Sequence, residues 1–303
     1  MTNLAITPAH PAAEGTLPRV RAYKDLMKLR LNSLVGVAVG VGYLAGTAAS
    51  PMSVAFLGLI IGSYLAACGT SALNMAMESD RDRLMVRTMR RPIPAGLITP
   101  FEASVFGSLL AVSGLGIMLV TTNALATALT ALTVILYVFL YTPLKTRTTM
   151  NTLVGAIPGA LPALIGQAAA TGTVTLQAWS LFAIIFLWQF PHFLAIAVIY
   201  SEDYRKGGFR MLPVVDRDGK KTGLRAMQAA ALLVPASVSP VLCGICAPLP
   251  FIPIALLLSF GFLAATIRAS RQGTIDSWRV VLRASFIHLT VLFIAITVEQ
   301  LLR

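Results

Sequence analysis

The sequence has few charged residues, because only 12% of its 303 residues are Asp, Glu, Lys or Arg, against about a quarter in soluble domains. Histidine and cysteine are also scarce, with three of each. Hydrophobic residues make up 56% of the chain, and they form runs far too long for the core helices of a soluble protein. The composition therefore excludes a soluble globular domain and predicts a polytopic membrane protein.

Segments with few or no charges recur along the whole chain, each close to the roughly 20 residues that an α-helix needs to span hydrocarbon. They lie near residues 31–50, 54–73, 103–121, 124–142, 152–170, 177–199, 226–244, 249–267 and 284–301. The third and fourth segments are separated only by residues 121–123, but one helix through both would be about twice a bilayer span. We therefore expect a tight hairpin there, and an all-α polytopic membrane protein with nine transmembrane helices.

Basic residues are confined to alternate connections between these spans. Lys and Arg number five before the first span, five between spans 2 and 3 (connection 2–3), two in connection 4–5, seven in connection 6–7 and four in connection 8–9, with none in the other four connections. The net charge of +12 thus follows membrane topology, and we expect no nucleic-acid partner. The positive-inside rule predicts a cytoplasmic N-terminus and a C-terminus outside.

The N-terminal residues contain no basic region joined to a short apolar segment and cleavage site, so we expect no secretory signal peptide. Residues 1–22 are predicted to be a flexible tail, and residues 23–303 a single membrane domain. The tail is poor in arginine and contains Glu14, which is unlike a mitochondrial presequence. The sequence therefore favours a bacterial plasma membrane, that is, the cell inner membrane.

An acidic cluster marks the end of the uncharged second span. Asn74, Glu78 and Asp82 are spaced by four residues, and each such step turns only about 40° around an α-helix, so the three share one face. Asp80 lies about 200° from Glu78 and points elsewhere. Two carboxylates one turn apart repel each other unless a cation joins them. Mg²⁺ combines one or two carboxylates with phosphate oxygens, so the spacing favours Mg²⁺ and a phosphorylated ligand.

Connection 2–3 continues with Arg87, Arg90 and Arg91. Planar guanidinium groups suit bidentate recognition of phosphate, so acidic residues, metal and arginines together indicate a diphosphate. The alternative is that these arginines only anchor the span at the cytoplasmic interface. Spacing alone does not separate the two interpretations.

Other polar residues could reach the same cavity. Connection 6–7 opens with the charged stretch 202–206 at the end of a long apolar helix, and connection 4–5 carries Lys145, Arg147 and Asn151. The first group repeats the mix of acidic and basic residues of connection 2–3, and the second supplies polar groups for the same cavity, while solvated loops are the alternative.

Two polar side chains are predicted deep in the membrane. Gln189 and His192 lie about ten or more residues from the charged end of the sixth span, or roughly 15 Å deep, where they should face a cavity or partner helices. For His192 an interhelical hydrogen bond is the alternative to ligand contact, and for His288 we favour it. Cys243 and Cys246 form a C-x-x-C pair that supports neither a zinc site nor a thioredoxin-like motif and leaves an outer-face disulfide open.

Several motifs in one order resemble the UbiA superfamily of membrane prenyltransferases, whose members have nine helices and two acid-rich cytoplasmic loops, after helices 2 and 6. The motifs are N-x3-E-x3-D-x2-M-x-RT-x2-RP at 74–92, YTPLK at 141–145, WQFPHF at 188–193, and EDY with MLPVV within 202–215. More narrowly, they resemble the branch that farnesylates protohaem IX. The resemblance covers essentially the whole chain from about Tyr23.

The resemblance implies a UbiA-type bundle with a cavity that faces the cytoplasm. It also implies transfer of a farnesyl group from farnesyl diphosphate, with water, to the 2-vinyl group of protohaem IX, which gives haem O and diphosphate. Mg²⁺ would be the cofactor, protohaem IX and farnesyl diphosphate the substrates, and the lipid bilayer the surroundings. A haem A synthase is implied as a protein partner.

Carried over residue by residue, the resemblance assigns a catalytic set and a substrate-binding set. The catalytic set is Asn74, Glu78, Asp82, Asp203 and Tyr204, of which Glu78, Asp82 and Asp203 would hold Mg²⁺. The substrate-binding set is Arg87, Arg91, Lys145, Arg147, Asn151, Gln189, His192 and Lys206. The chain departs from the superfamily at the second acidic motif, where Ile199 and Gly207 flank Asp203 in place of a second pair of aspartates.

Two alternatives remain open at this point. A quinone- or chlorophyll-type prenyltransferase would use the same diphosphate chemistry on another acceptor, although Glu78 and the WQFPHF stretch favour haem. A secondary transporter for an anionic substrate would suit polar residues inside the membrane. Against transport, the acidic residues gather at one membrane face and not at the midplane.

Overall fold

The computed structural model describes residues 16–46 and 53–302, and within these ranges it contains helices and no strand. The helices are α1 (Thr16–Met27), α2 (Leu29–Gly46), α3 (Val54–Asp82), α4 (Pro100–Thr121), α5 (Ala124–Ile135), a π-helix (Leu136–Tyr141), α6 (Thr142–Leu144), α7 (Asn151–Thr171), α8 (Leu176–Ile199), α9 (Ser201–Lys206), α10 (Leu212–Val215), α11 (Lys220–Leu242), α12 (Pro248–Gln272) and α13 (Ile275–Leu302).

These helices form nine candidate membrane spans within the described residues. Their bounds are Pro18–Gly46, Val54–Asp82, Pro100–Thr121, Ala124–Leu144, Asn151–Thr171, Leu176–Ile199, Lys220–Leu242, Pro248–Gln272 and Ile275–Leu302. The predicted count and order of spans are confirmed, and the chain is a multi-pass membrane protein. Residues 16–22 of the predicted tail lie in α1, residues 1–15 lie outside the described residues, and the division into tail and domain stays a prediction.

The hairpin between the third and fourth spans is as tight as expected. The side chain of Asn123 caps α5, because its Oδ1 accepts the Ala126 N–H at 2.9 Å. Its Nδ2 donates to the carbonyl oxygen of Ala168 at 2.7 Å, which fixes the turn against α7. Asn123 thus stabilises the turn between the third and fourth spans and links that turn to the fifth span.

Helices α1 and α2 are separated by a break at one turn residue, Lys28. Its φ of 45° lies in the left-handed region, which costs non-glycine residues about 1–3 kcal/mol and persists only where the surroundings enforce it. The Asn32 Nδ2 donates to the Met27 carbonyl at 2.7 Å and to the Ser71 Oγ at 2.9 Å. On the other side, the Tyr23 ring packs on Phe106 at 4.8 Å. The start of α2 thus packs against α3, and α1 packs against α4.

Small residues let the membrane-spanning helices approach closely. A Cβ on Gly69 of α3 would lie 2.4 Å from the carbonyl oxygen of Gly107 in α4, and a Cβ on Gly42 of α2 would lie 2.3 Å from that of Ala163 in α7. Lipid is as apolar as the side chains, so association in the membrane depends on such close packing. These contacts join the second span to the third and the first to the fifth.

A small apolar cluster brings the two acid-rich connections together. Met85 of connection 2–3 is buried against Ala197 at the end of α8 and against Phe209 and Met211 of connection 6–7. The side chain of Arg81 also donates to the carbonyl oxygen of Gly207 at 3.1 Å. Segments more than a hundred residues apart in the chain therefore form one wall of the site.

Candidate active site

A cavity of about 120 Å³ opens where α3, the π-helix and connections 2–3 and 6–7 meet. It is lined by Lys28, Asn74, Glu78, Asp82, Met85, Arg87, Thr88, Arg91, Tyr137, Tyr141, Lys145, Tyr204, Phe209 and Met211. The structure thus brings together seven of the predicted site residues, namely Asn74, Glu78, Asp82, Arg87, Arg91, Lys145 and Tyr204. It adds Lys28, Tyr137 and Tyr141, which sequence reasoning missed.

Helix α3 presents its acidic face to this cavity. Its last turns carry Asn74, Glu78 and Asp82, which are 2%, 6% and 0% exposed. Asp80 is exposed on the opposite face, as the four-residue spacing predicts. The shared face is a property of the helix alone, so the sequence could specify it.

Glu78 forms a buried ion pair with Lys145, whose Nζ lies 2.8 Å from Glu78 Oε1. The same Nζ lies over the Tyr141 ring at 4.6 Å from its centroid. Burial lowers the pKa of Lys145, but the Glu78 carboxylate and the nearby tyrosines raise it by more, so the pKa stays above its usual value. The cavity therefore keeps this positive charge at neutral pH.

Asp82 is only half satisfied by protein groups. Its Oδ2 accepts a hydrogen bond from the Arg91 Nη1 at 2.7 Å, while its buried Oδ1 has no hydrogen-bond partner in the described part of the chain. The Thr88 hydroxyl donates to the Asp82 carbonyl oxygen at 2.9 Å, which fixes the backbone there. A buried carboxylate oxygen without a partner is costly, and a cation or a hydrogen-bond donor would satisfy it.

Arg87 is held between two aromatic rings. Its guanidinium lies over Tyr200 at 4.6 Å and over Tyr204 at 5.4 Å, and Nη2 donates to the Tyr204 hydroxyl at 3.2 Å. Cation–π contact and one hydrogen bond together restrict a side chain that otherwise has many rotamers. The backbone of the same turn is held by Asp203, which accepts the N–H groups of Val86 and Arg87.

The π-helix gives the cavity its aromatic wall. Tyr137 and Tyr141 lie four residues apart within it, with ring centroids 5.0 Å apart. Gly155 leaves the room for Tyr141, because a Cβ there would lie 2.5 Å from the ring. The side chain of Asn74 donates to the Thr142 hydroxyl at 3.1 Å, so the polar face of α3 is tied to the end of this segment. π-Helical turns are frequent at functional sites.

Three of the predicted substrate-binding residues form hydrogen bonds between segments and do not line the cavity. Asn151 donates to the carbonyl oxygen of Arg210 at 3.0 Å, and Gln189 to that of Ala156 at 3.0 Å. His192 pairs through Nδ1 with the Ser285 hydroxyl at 2.7 Å. For His192 this is the alternative that the sequence left open, and its predicted role in binding substrate stays a prediction.

Arg147 and Lys206 also lie outside the cavity lining, and both are exposed. Their predicted roles in binding substrate stay predictions. His288 forms contacts within the bundle as expected, with its Nε2 3.0 Å from the Ser259 hydroxyl. Cys243 and Cys246 form no disulfide in the described structure.

The predicted metal ligands are brought together only in part. Residues 16–46 and 53–302 contain no group of three or more His, Cys, Asp or Glu side chains that could hold a metal ion. Glu78 and Asp82 share the cavity, whereas Asp203 does not line it. Mg²⁺ often uses one or two carboxylates and completes its shell with water and phosphate oxygens. The unpartnered Oδ1 of Asp82 fits such an ion.

Comparison with known proteins places the chain in a family. The sequence pattern of the UbiA prenyltransferase family matches residues 33–291. A protohaem IX farnesyltransferase of Solibacter usitatus is 40% identical over 283 residues, which cover 90% of this chain and 97% of the relative. One from Aquifex aeolicus is 35% identical over 282 residues, with 93% and 96% covered.

Solved structures show the same fold. A structure of digeranylgeranylglyceryl phosphate synthase matches with a TM-score of 0.77 and 18% identity, and covers 93% of this chain and 99% of its own. A UbiA homologue from Archaeoglobus fulgidus bound to DMAPP and Mg²⁺ matches with a TM-score of 0.58 and 18% identity, with 91% and 99% covered. The predicted UbiA-type helical bundle is confirmed, and the chain belongs to the UbiA prenyltransferase family.

Proposed function

We propose that the chain is a prenyltransferase that joins farnesyl diphosphate and water to the 2-vinyl group of protohaem IX, giving haem O and diphosphate. Relatives called protohaem IX farnesyltransferase, 40% and 35% identical over at least 90% of the chain, support this acceptor over a quinone or chlorophyll precursor. Membership of a prenyltransferase family also argues against the alternative of a secondary transporter for an anionic substrate.

The observation that carries the proposal is the charge balance of the cavity. Four cationic side chains line it, Lys28, Arg87, Arg91 and Lys145, against the two carboxylates Glu78 and Asp82. Counted as formal charges, four minus two leaves two more positive than negative groups in the lining. A buried cluster with more cationic than acidic side chains, two of the cations being arginine guanidinium groups, fits a diphosphate.

The cations would act on the leaving group. As the C–O bond between the farnesyl chain and the diphosphate breaks, negative charge grows on the diphosphate, and fixed positive groups stabilise that growth. Lys28, at the helix break, and Arg87 and Arg91, in connection 2–3, would take this role, and all three line the cavity. Mg²⁺, when bound, adds positive charge at the diphosphate oxygens, and Glu78 and Asp82 are the residues that would hold it.

The other product of this cleavage is an allylic cation. The rings of Tyr137 and Tyr141 lie beside the charged end of the cavity, where their π faces can stabilise positive charge. The electron pair of the haem vinyl group then forms a C–C bond to the first farnesyl carbon. Water adds to the resulting cation beside the porphyrin and gives up a proton, which completes the hydroxyethylfarnesyl group.

We also propose the cell inner membrane as the location, with the cavity and the N-terminus on the cytoplasmic side and the C-terminus outside. Support comes from the alternation of basic residues, since each connection that contributes to the cavity belongs to the basic set. The farnesyl chain would lie among apolar side chains of the bundle. A haem A synthase would be the partner that consumes the product, which stays a prediction.

The proposal is tested with membranes that contain the protein, incubated with protohaem, farnesyl diphosphate and Mg²⁺. Mass spectrometry should find hydroxyethylfarnesyl haem, and the reaction in H₂¹⁸O should place one labelled oxygen in the product. Membranes from cells without the gene are the control. A prenylated quinone precursor in place of a haem product would overturn the acceptor, although not the diphosphate chemistry.

A further inference from the structure

Asp203 uses both of its carboxylate oxygens on the backbone of connection 2–3. Its Oδ1 accepts the Val86 N–H at 3.2 Å, and its Oδ2 accepts the Arg87 N–H at 3.3 Å. Hydrogen bonds to an ionised carboxylate are about twice as strong as neutral ones. Two such bonds to consecutive N–H groups fix the backbone conformation at Val86 and Arg87. They therefore also fix the position of the Arg87 Cα, from which the side chain extends.

The neighbours of Asp203 hold the other end of Arg87. Tyr200 and Tyr204 lie on either side of Asp203 in the sequence, and their rings enclose the Arg87 guanidinium. Tyr204 also accepts its hydrogen bond at 3.2 Å. One short segment at the end of α8 thus fixes both the backbone and the guanidinium of Arg87, which lines the cavity.

Among the residues that the structure describes, Asp203 belongs to no group of three or more acidic, His or Cys side chains that could hold a metal ion. The positions four residues before and after it are Ile199 and Gly207, neither of which carries a metal-ligating side chain. The adjacent Glu202 is exposed and paired with Arg205. Asp203 itself does not line the cavity that contains Glu78 and Asp82.

We propose that Asp203 is a positioning residue that fixes the turn at Val86–Arg87, and through it the Arg87 guanidinium, and that it is not a metal ligand. Only the kinetic part of the test rests on the proposed function. The structural part needs neither substrate nor turnover, so the positioning role of Asp203 and the proposed prenyltransferase function can be refuted separately.

The structural test is amide hydrogen exchange of the purified protein in detergent without Mg²⁺. In the wild-type protein the Val86 and Arg87 amides should be protected, because both donate to Asp203. In Asp203→Asn their exchange should rise by about tenfold, as expected for the loss of one charge-assisted hydrogen bond. Glu202→Gln, one residue away and exposed, should leave it unchanged.

The kinetic test separates positioning from metal binding. Asp203→Asn should raise the KM for farnesyl diphosphate by about tenfold and leave the Mg²⁺ concentration for half-maximal rate within about twofold. Asp82→Asn should raise that Mg²⁺ concentration. The double variant Asp203→Asn/Arg87→Gln should lose no more than Arg87→Gln alone, because the two residues act as one unit.

The outcomes that would overturn the proposal are distinct. Unprotected Val86 and Arg87 amides in the wild-type protein would refute it even if Asp203→Asn fails to fold. A higher Mg²⁺ requirement in Asp203→Asn with unchanged exchange would make Asp203 a metal ligand. Additive losses in the double variant would show that Asp203 acts on something other than Arg87.

Discussion

Replacement of Lys28 by methionine tests the diphosphate site most directly. Lys28 lies at the break between α1 and α2 and lines the cavity with Glu78 and Asp82. Methionine keeps the unbranched stem and has the same backbone preference at a φ of 45°, so Lys28→Met isolates the charge. The variant should fold as the wild-type protein does and bind the diphosphate less well.

The size of the effect follows from the contact that is lost. A hydrogen bond to a charged group contributes about 1.5–3 kcal/mol, and each 1.36 kcal/mol corresponds to about a tenfold change in rate. If Lys28 contacts the diphosphate in the transition state, Lys28→Met should lower kcat/KM for farnesyl diphosphate by roughly 10- to 150-fold. Lys28→Arg keeps the charge and should lose less.

The assay is the initial rate of haem O formation at varied farnesyl diphosphate, together with inhibition by inorganic diphosphate. Lys24→Met is the matched control, because Lys24 is exposed on α1 and its loss should change kcat/KM by less than about threefold. Equal losses in the two variants would refute the reasoning. So would an effect confined to the KM for protohaem.

Two further predictions concern α3 and the packing of α2. Glu78→Ala and Asp82→Ala should each lower turnover by about 100-fold or more, while Asp80→Ala, on the exposed face, should stay within about threefold; equal losses in all three would refute the shared-face argument. Gly42→Ala should lower the free energy of unfolding by about 1–3 kcal/mol, because its Cβ would lie 2.3 Å from a carbonyl oxygen of α7. Gly36→Ala, with open space around it, should be neutral or slightly stabilising, and thermal unfolding in detergent that shows the same midpoint for both would contradict this.

Properties that depend on one helix could be predicted from the sequence. Span lengths follow from apolar runs, and the shared face of Asn74, Glu78 and Asp82 follows from helical periodicity. The spans appear in the expected number and order, although some helices run well past the apolar segments, as Val54–Asp82 does against the predicted 54–73. The three polar residues of α3 share one buried face. The location of the cavity also follows, because the charged connections gather at one end of the bundle.

Properties that depend on contacts between distant segments could not be predicted. Lys28 counts as one of five basic residues before the first span, and only the break at φ 45° with its packing against α3 brings it to the cavity. The burial of Gln189 and His192 was expected, but their partners, Ala156 and Ser285, lie 33 and 93 residues away. The π-helix has no periodic signature in six residues, so Tyr137 was missed.

Lys145 and Lys28 should differ in their contributions to the stability of the fold, and this difference can be measured. Lys145 pairs with Glu78 at 2.8 Å, with only 12% and 8% of the two side chains exposed. Loss of one partner from a buried pair leaves an uncompensated charge and costs about 3–5 kcal/mol. Lys28 has no carboxylate within ion-pair distance among the described residues, and it shares the cavity with other cations that repel it.

Lys145→Met should therefore lower both the thermal unfolding midpoint and the turnover, whereas Lys28→Met should lower turnover alone. Lys145→Arg, which keeps a cation beside Glu78, should recover most of the stability. If Lys28→Met lowers the unfolding midpoint as much as Lys145→Met does, then Lys28 supports the fold, and the loss of activity in that variant says nothing about the diphosphate. Lys28 and Lys145 line the same cavity. The comparison therefore distinguishes a lysine whose charge neutralises a protein carboxylate from a lysine whose charge is available to the substrate.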